Sequence, residues 1–218
     1  MVDVIDTPWN IVPHVAELQT GGVKAIIRYL NNANSSILPE KCVTLAETRA
    51  IAAAGLTMAL VFEQAQNAVR YFTAAAGKTA AIRTISLCQS VVGPPAGRPV
   101  YFAVDYDAVV GDLPAIDSYF AAVKAQFDAS APGQFAIGVY GSGLVCAHLL
   151  DGGTVGYAWL AQSSGWSGTA DFARSGRWSL KQGFKPATGG FKFDYDPNDT
   201  NPAAPDFGAF APQPPPDT

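Results

Sequence analysis

Short apolar runs alternate with longer segments of helical character along most of this chain. Six of the runs are predicted to be buried strands, at residues 2–6, 25–30, 57–64, 99–107, 135–142 and 156–162. The predicted helices lie at residues 11–20, 39–54, 69–91 (broken at Gly77), 114–130 and 144–150. Strands and helices that alternate at this spacing indicate parallel strands joined by crossover helices.

Two further strands, at residues 178–182 and 191–196, bring the predicted number to eight. Eight such units in about 200 residues predict the α/β class and a single (β/α)8 barrel of the TIM type. The last two connections are too short for full helices, so this side of the barrel is expected to be irregular. We place the barrel at residues 1–201 and a Pro-rich tail, extended or disordered, at residues 202–218.

The strand at residues 99–107 is apolar until two acids near its end. Residues two apart on a strand point to the same side, so Tyr101, Ala103, Asp105 and Asp107 are predicted to share one face. In α/β barrels, ligands and catalysis are found at the carboxyl ends of the strands. Asp105 and Asp107 are therefore candidate catalytic residues.

Other acids fall at the ends of other predicted strands. They are Asp6, Glu63, and Asp194 or Asp196. Carboxylates that face one pocket repel each other, so at least one should hold its proton near neutral pH while another stays ionised. A proton donor beside an ionised carboxylate is the arrangement that glycoside hydrolysis requires.

Aromatic and polar side chains in the same strand-end segments are candidates for binding a sugar. The aromatic residues that could stack on a sugar face are Trp9, Tyr29, Tyr106, Tyr140, Trp159 and Trp166. The polar residues that could bind hydroxyl or acetamido groups are Arg28, Gln64, Gln162 and Gln182. From these and the acids, we predict a substrate-binding set of Arg28, Tyr29, Glu63, Tyr140, Trp159, Gln162, Trp166, Gln182 and Asp196.

Composition excludes several classes of partner. The net charge of −4 comes without a basic stripe, so we expect no nucleic-acid partner. No apolar run reaches the roughly 18–20 residues of a membrane span. The three cysteines, Cys42, Cys88 and Cys146, are odd in number and widely spaced, which favours buried thiols over disulfides or a metal cluster. We expect no cofactor and a monomer.

The start of the chain bears on its location. A first strand that begins at Val2 leaves no room for a secretory signal peptide. The expected location is therefore cytoplasmic, or exported or in the cell envelope if a signal peptide was removed.

The acids also have other interpretations. A carboxylate after a strand often caps the next helix, and Asp107 or Asp112 could do so. Clustered carboxylates can instead hold Mg²⁺ or Ca²⁺. Asp194, Asp196 and Asp199 have a spacing loosely like that of a calcium loop, but the glycine and the terminal Glu of that loop are missing.

Taken in order, these segments resemble a known family. The segments are residues 2–6 with Trp9, 27–30, 101–107, 138–142, 159–162 with Gly165 and Trp166, 181–182, and 194–196. They resemble the glycoside hydrolase-like domains once described as a domain of unknown function. That family is similar in turn to the family 25 lysozymes, which are muramidases with a (β/α)8-like barrel. The resemblance extends to about residue 200.

The resemblance implies roles for particular acids. In the lysozymes the fourth strand ends in Asp-x-Glu, and the Glu is the proton donor. Carried over, Asp105 matches the Asp, Asp107 stands at the Glu position, Asp6 matches the first-strand acid and Asp194 the last-strand acid. Asp107 is one methylene shorter than the Glu it replaces.

The leading hypothesis is a muramidase-like glycoside hydrolase that acts on a cell-wall or related polysaccharide. Asp107 would be the general acid and Asp105 the stabilising or base partner, with Asp6 and Asp194 as further catalytic residues. One alternative is a catalytically inactive barrel that binds glycan, and a second is a metal-dependent hydrolase. The sequence leaves open the sugar, the linkage and the stereochemical outcome.

Overall fold

Eight strands close into a barrel in chain order. This computed structural model describes residues 2–93, 95–186 and 190–216. The strands are β1 (Val4–Asp6), β2 (Ala25–Leu30), β3 (Thr57–Phe62), β4 (Pro99–Ala103), β5 (Ala136–Gly141), β6 (Tyr157–Leu160), β7 (Leu180–Gln182) and β8 (Asp196–Thr200). The predicted eight-stranded α/β barrel is confirmed.

The last strand runs against the other seven. β1 to β7 pair in parallel, whereas β8 is antiparallel to both β7 and β1. The rim where the other strands end is therefore the rim where β8 begins, and Asp196 pairs there with Asp6. The prediction of a strand at residues 191–196 is wrong, since β8 begins where that segment ends.

Six α-helices in the described residues connect the parallel strands. They are α1 (Val15–Thr20), α2 (Leu45–Ala53), α3 (Ala74–Leu87), α4 (Leu113–Ser130), α5 (Gly143–Asp151) and α6 (Thr169–Ser175). As expected, the last crossovers are short: α6 has seven residues, and β8 follows β7 without a helix in the described part of that connection.

Two helices differ from their predicted bounds. α2 begins at Leu45 rather than near residue 39, because Thr44 and Glu47 form a capping box that fixes its start. The segment 69–91 divides into a 3-10 turn (Val69–Tyr71), α3 and a π-helical turn (Cys88–Val92). Gly77 does not break α3. A Cβ atom there would lie 2.2 Å from the Tyr119 carbonyl oxygen, so the glycine lets α4 pack closely against α3.

The two faces of β4 lie in different parts of the core, as alternation predicts. Tyr101 and Ala103 belong to the cluster that fills the barrel interior. Phe102 belongs to the larger cluster between the barrel and its helices, together with Val104, the first residue after β4. β4 ends at Ala103, so Asp105 and Asp107 lie in the loop after the strand.

The Pro-rich segment packs on the barrel instead of extending away from it. Phe207 is buried in the interior cluster, and its carbonyl accepts a 2.8 Å hydrogen bond from the Tyr101 hydroxyl. Phe210 forms an antiparallel bridge with Met58 near the start of β3. The segment therefore covers the end of the barrel opposite to the rim where β1 to β7 end.

The cysteines and the lengths of the helices can be compared with what the composition predicted. Cys88 and Cys146 are buried and Cys42 is half-buried, and all three are free thiols. None of the helices in the described part of the chain is long and apolar enough to cross a membrane.

Candidate active site

A polar cavity of about 260 Å³ opens at the carboxyl rim of the barrel. Strands or loops from both halves of the chain contribute to its wall. Its lining residues are Pro8, Tyr29, Leu38, Lys41, Val61, Glu63, Asp105, Tyr140, Trp159, Gln162, Gln182 and Asp196. The structure thus brings together at this cavity eight of the residues that the sequence identified as candidates.

Asp105 and Glu63 lie on neighbouring parts of the wall, after β4 and β3. Burial raises the pKa of Asp105 to about 6, with a further upward contribution from the negative charge of Glu63 and an opposing one from Lys41. Lys41 forms a 2.6 Å ion pair with Glu63 and also lies 4.9 Å from the centre of the Tyr29 ring. Asp105 is therefore a carboxyl group that keeps its proton up to mildly acidic pH.

Asp6 lies beneath the cavity, with 2% of its surface exposed. Its carboxylate accepts hydrogen bonds from the Tyr29 hydroxyl at 3.0 Å, from Gln182 Nε2 at 3.1 Å and from Asn198 Nδ2 at 2.8 Å. Burial raises its pKa to about 7, against the lowering effect of these three donors and with an upward contribution from Asp196. Asp6 thus holds Tyr29, Gln182 and Asn198 in place and does not itself line the cavity.

The raised pKa of Asp6 predicts a dependence of stability on pH. Between about pH 4 and 7 the folded chain keeps a proton that an unfolded Asp, with a pKa near 3.9, has lost. Stability should therefore fall as the pH rises through this window. We expect the unfolding free energy of the wild type minus that of Asp6→Asn to fall by about 1.4 kcal/mol per pH unit there. Urea denaturation at several pH values measures this difference, and a constant difference would contradict the prediction.

The floor of the cavity is a hydrogen-bonded layer built on Gln182. Its Oε1 accepts from the Tyr140 hydroxyl at 2.8 Å, and its Nε2 donates to Asp6 and, at 3.4 Å, to Asp196. The Trp159 ring packs edge-on against Tyr140, at 4.8 Å between ring centres. These bonds fix the side chains before a ligand binds, which is the property that a specific binding site requires.

Gln162 differs from its neighbours in having a polar atom without a partner. Its Oε1 is buried and accepts no hydrogen bond from the described residues, although the side chain lines the cavity. A buried acceptor of this kind costs free energy until a donor reaches it. A ligand hydroxyl or amide N–H could supply that donor.

Asp107 lies outside the cavity, contrary to the prediction that it shares a face with Asp105. The strand periodicity ends with β4, and the exposed Asp107 carboxylate accepts a 2.7 Å hydrogen bond from the Ser167 backbone N–H. This bond lowers the pKa of Asp107, which disfavours the protonated form that a general acid needs.

The acid that β8 brings to the cavity is Asp196 and not Asp194. Asp194 is exposed, and its Oδ1 lies 3.6 Å from Lys185 Nζ. Asp196 is half-buried and lines the cavity, and burial raises its pKa, with a further contribution from Asp194. The reversed direction of β8 explains the difference, because the first residue of this strand, not the last, lies at the rim.

Two predicted substrate-binding residues do not reach the cavity. Arg28 alternates with Tyr29 along β2, so it points out of the barrel, where its Nε forms a fully buried 2.9 Å ion pair with Glu47. Its other nitrogens donate to the carbonyls of Thr7 and Glu40. Trp166 is half-buried in the loop after β6 and is not among the lining residues.

Some residues of the site were not predicted from the sequence. Lys41 lies in an irregular segment before α2, where no strand end or motif marks it. Asn198 is the third residue of β8, and its Oδ1 accepts a 2.7 Å hydrogen bond from Trp159 Nε1. The Thr44–Glu47 capping box would have moved the start of α2 past Lys41 and so placed that lysine in a rim loop.

The site places acids on opposite sides of the barrel. β4 and β8 lie four strands apart in the closed ring of eight, so Asp105 and Asp196 approach the cavity from opposite walls. No group of three His, Cys, Asp or Glu side chains in the described ranges is arranged to hold a metal ion. An α/β barrel with opposed carboxylates above a hydrogen-bonding floor is typical of glycoside hydrolases.

Comparison with known sequences gives the family. The profile described as "Rv2525c-like, glycoside hydrolase-like domain" matches residues 16–200, and the chain belongs to this family. The uncharacterized protein YbfG of Bacillus subtilis (strain 168) is 29% identical to it over 194 residues, which are 84% of this chain and 26% of YbfG. The chain thus spans about a quarter of the length of that relative.

Comparison with solved structures supports the fold. The Mycobacterium tuberculosis Tat-secreted protein Rv2525c, in complex with L-tartrate, matches with a TM-score of 0.74 at 19% identity, over 94% of this chain and 97% of that one. The modular autolysin LytC from Streptococcus pneumoniae, in complex with a synthetic peptidoglycan ligand, matches with a TM-score of 0.54 at 11% identity. That match covers 89% of this chain and 45% of LytC.

Proposed function

We propose that this domain hydrolyses a glycosidic bond in a cell-wall or related polysaccharide and that it uses Asp105 as the proton donor. One observation carries the proposal: Asp105 and Asp196 stand on opposite walls of a cavity whose floor is built from hydrogen-bonded polar side chains. The family, and the fold that the chain shares with LytC, whose structure is in complex with a synthetic peptidoglycan ligand, support this class of substrate.

The proposed mechanism assigns one role to each carboxyl group. Asp105, whose pKa burial raises to about 6, donates its proton to the glycosidic oxygen of the leaving sugar. Asp196 accepts a proton from the attacking water or stabilises the positive charge that develops on the sugar ring. Its raised pKa makes it a stronger base than an ordinary aspartate. Asp6 acts through Tyr29 and Gln182, which it positions.

The cavity also indicates how much of the substrate it holds. Its volume of about 260 Å³ lies just below the roughly 300–1,000 Å³ of sites for drug-sized ligands. We therefore propose that one sugar unit enters the cavity. The unpaired Oε1 of Gln162 would accept a hydrogen bond from a hydroxyl or acetamido group of that sugar.

Turnover of defined glycans tests the proposal. We expect the wild-type chain to release new reducing ends from peptidoglycan fragments or chitin oligosaccharides, with no loss of activity in the presence of a chelator. Loss of activity with the chelator would favour a metal-dependent hydrolase. Saturable binding of oligosaccharides without any new reducing ends would contradict the proposed hydrolysis.

A glycan-binding barrel without catalysis is the second candidate. The ion pair between Lys41 and Glu63 supports it, because it neutralises one of the cavity carboxylates. The position of Asp6 beneath the floor also supports it, since that acid has no direct access to a ligand in the cavity. In this case the polar floor would serve recognition alone.

We infer that the domain works outside the cytoplasm. Support comes from the related Rv2525c, which is described as Tat-secreted, and from the polysaccharide proposed as substrate. A monomeric state stays a prediction, which light scattering of the purified chain would test.

A further inference from the structure

A second depression of about 390 Å³ lies on the rim beside the cavity. We call it the Trp9 groove; it is lined by Trp9, Asn10, Pro13, His14, Glu40, Phe193 and Asp194. The His14 and Phe193 rings stack in it, with 4.4 Å between their centres. The groove thus combines aromatic faces with carboxylates. None of its lining residues has a role in the proposed mechanism.

Three segments of chain connect the Trp9 groove to the cavity. Pro8 lines the cavity and Trp9 the groove, and the same holds for Lys41 and Glu40. Likewise, Asp196 lines the cavity and Asp194, two residues earlier, lines the groove. Because consecutive Cα atoms are only about 3.8 Å apart, the two depressions adjoin along one side of the rim.

The Trp9 side chain is free to contact a ligand. It is half-buried, and it belongs to neither of the two hydrophobic clusters nor to any ring pair among the described residues. Its indole N–H has no hydrogen-bond partner in the same part of the chain, since the only bond from Trp9 is that of its backbone N–H to Thr7 Oγ1. A partly exposed tryptophan that lies outside the hydrophobic clusters and has no hydrogen bond to its indole N–H is more usual in a binding surface.

The charges around the groove restrict the ligand. Glu40 and Asp194 are exposed there, and Asp105, Asp196 and Glu63 stand in the adjoining cavity. These five carboxylates outnumber the two lysines that pair with them, Lys41 with Glu63 and Lys185 with Asp194. Carboxylates accept hydrogen bonds from hydroxyl, amide or amine groups and repel acidic groups.

From these observations we propose that the Trp9 groove binds the sugar next to the one in the cavity, and that this sugar carries no acidic group. Its ring stacks on the Trp9 indole, and its hydroxyl or amine groups donate hydrogen bonds to Glu40 and Asp194. The inference rests on the proposed function for the cavity. It extends that function by making the domain select chains with a neutral or amine-bearing sugar at this second position over uronic-acid chains.

Calorimetric titration with sugars of increasing length tests the groove. The probes are N-acetylglucosamine and its β-1,4-linked dimer, titrated into the full chain carrying Asp105→Asn to prevent turnover. We expect the dimer to bind about tenfold more tightly than the monomer, a factor that corresponds to about 1.4 kcal/mol. Adding Trp9→Ala should remove this gain and leave the Kd of the monomer unchanged.

Phe184→Ala provides a matched control, because Phe184 is a 73% exposed aromatic residue on the same rim that lines neither depression. This variant should keep the tenfold gain. Equal binding of monomer and dimer would overturn the proposal that the groove binds a sugar, and so would a gain in dimer affinity that survives Trp9→Ala. Either result would leave the proposal for the cavity intact. Equally tight binding of a galacturonic acid dimer would overturn the selection against acidic sugars. Failure of every sugar to bind would overturn both proposals.

Discussion

The Asp105→Asn variant is expected to lose about 10²–10⁴-fold in turnover of a glycan substrate, the usual contribution of a general acid. Asparagine keeps the size of the side chain, but its amide has no acidic proton to transfer to the leaving oxygen. Asp105 is half-buried in the loop after β4, and its one hydrogen bond among the described residues is from its backbone N–H to the Gln66 carbonyl, so the variant should fold normally. Initial rates of reducing-end release, with circular dichroism to verify folding, measure the effect.

Asp107→Asn is the matched control for this prediction. Asp107 lies two residues further along the same loop, but it is exposed and bound to the Ser167 backbone. Its replacement should change turnover by no more than a few-fold, about the effect of a surface substitution. The reverse result, in which Asp107→Asn is inactive and Asp105→Asn is active, would restore the role that the lysozyme resemblance implied for Asp107.

The pH profile provides an independent readout of the same role. A proton donor with a pKa of about 6 is lost as the pH rises through that value. The ratio kcat/KM should therefore decrease by about tenfold per pH unit above pH 6, because it reports the free enzyme. A profile that stays flat to pH 8 would argue against Asp105 as the acid.

The second large effect concerns stability: Arg28→Met should lower the unfolding free energy by about 3–5 kcal/mol. Arg28 and Glu47 are both fully buried, and methionine would leave the Glu47 charge without its partner. Glu47 would keep only its bonds to the capping segment of α2 and the Ile11 backbone. Urea denaturation at neutral pH measures the loss.

Two further variants make the Arg28 result specific. Arg177→Met is the control: Arg177 is exposed and pairs with Asp151, so its replacement should lower the unfolding free energy by no more than about 1 kcal/mol. Arg28→Met combined with Glu47→Leu should recover much of the lost stability, because a buried ion pair can be replaced by apolar residues at little cost. Normal stability of Arg28→Met with loss of sugar binding would instead support its predicted role as a ligand contact.

The barrel was predictable because strands β1 to β6 are largely buried on both faces and are separated by helix-length segments. The apolar runs at β2, β3 and β4 match the observed strands at their starts. The orientation of β8 was not predictable, since a strand of sequence DPNDT has neither an apolar run nor alternation. The last strand was therefore predicted in the preceding aromatic segment, and Asp194 instead of Asp196 was predicted to be its catalytic acid.

The acids of the site could be predicted in part. Asp105 and Glu63 follow apolar strands and line the cavity, so their positions at strand ends were enough to predict them. Asp107 was predicted from strand periodicity, but it lies in a loop, where alternation no longer determines the direction of a side chain. Arg28 shows the opposite error, because its alternation with Tyr29 already indicated that only one of the two could face the barrel interior.

A crystal structure of the Asp105→Asn variant with a bound chitin or peptidoglycan oligosaccharide tests the central claim most directly. We predict one sugar in the cavity, with a glycosidic oxygen about 2.6–3.2 Å from the side chain at position 105. The Asp196 carboxylate should lie on the opposite side of that sugar. A saccharide ordered against Asp107, or one that leaves this cavity empty, would contradict the account.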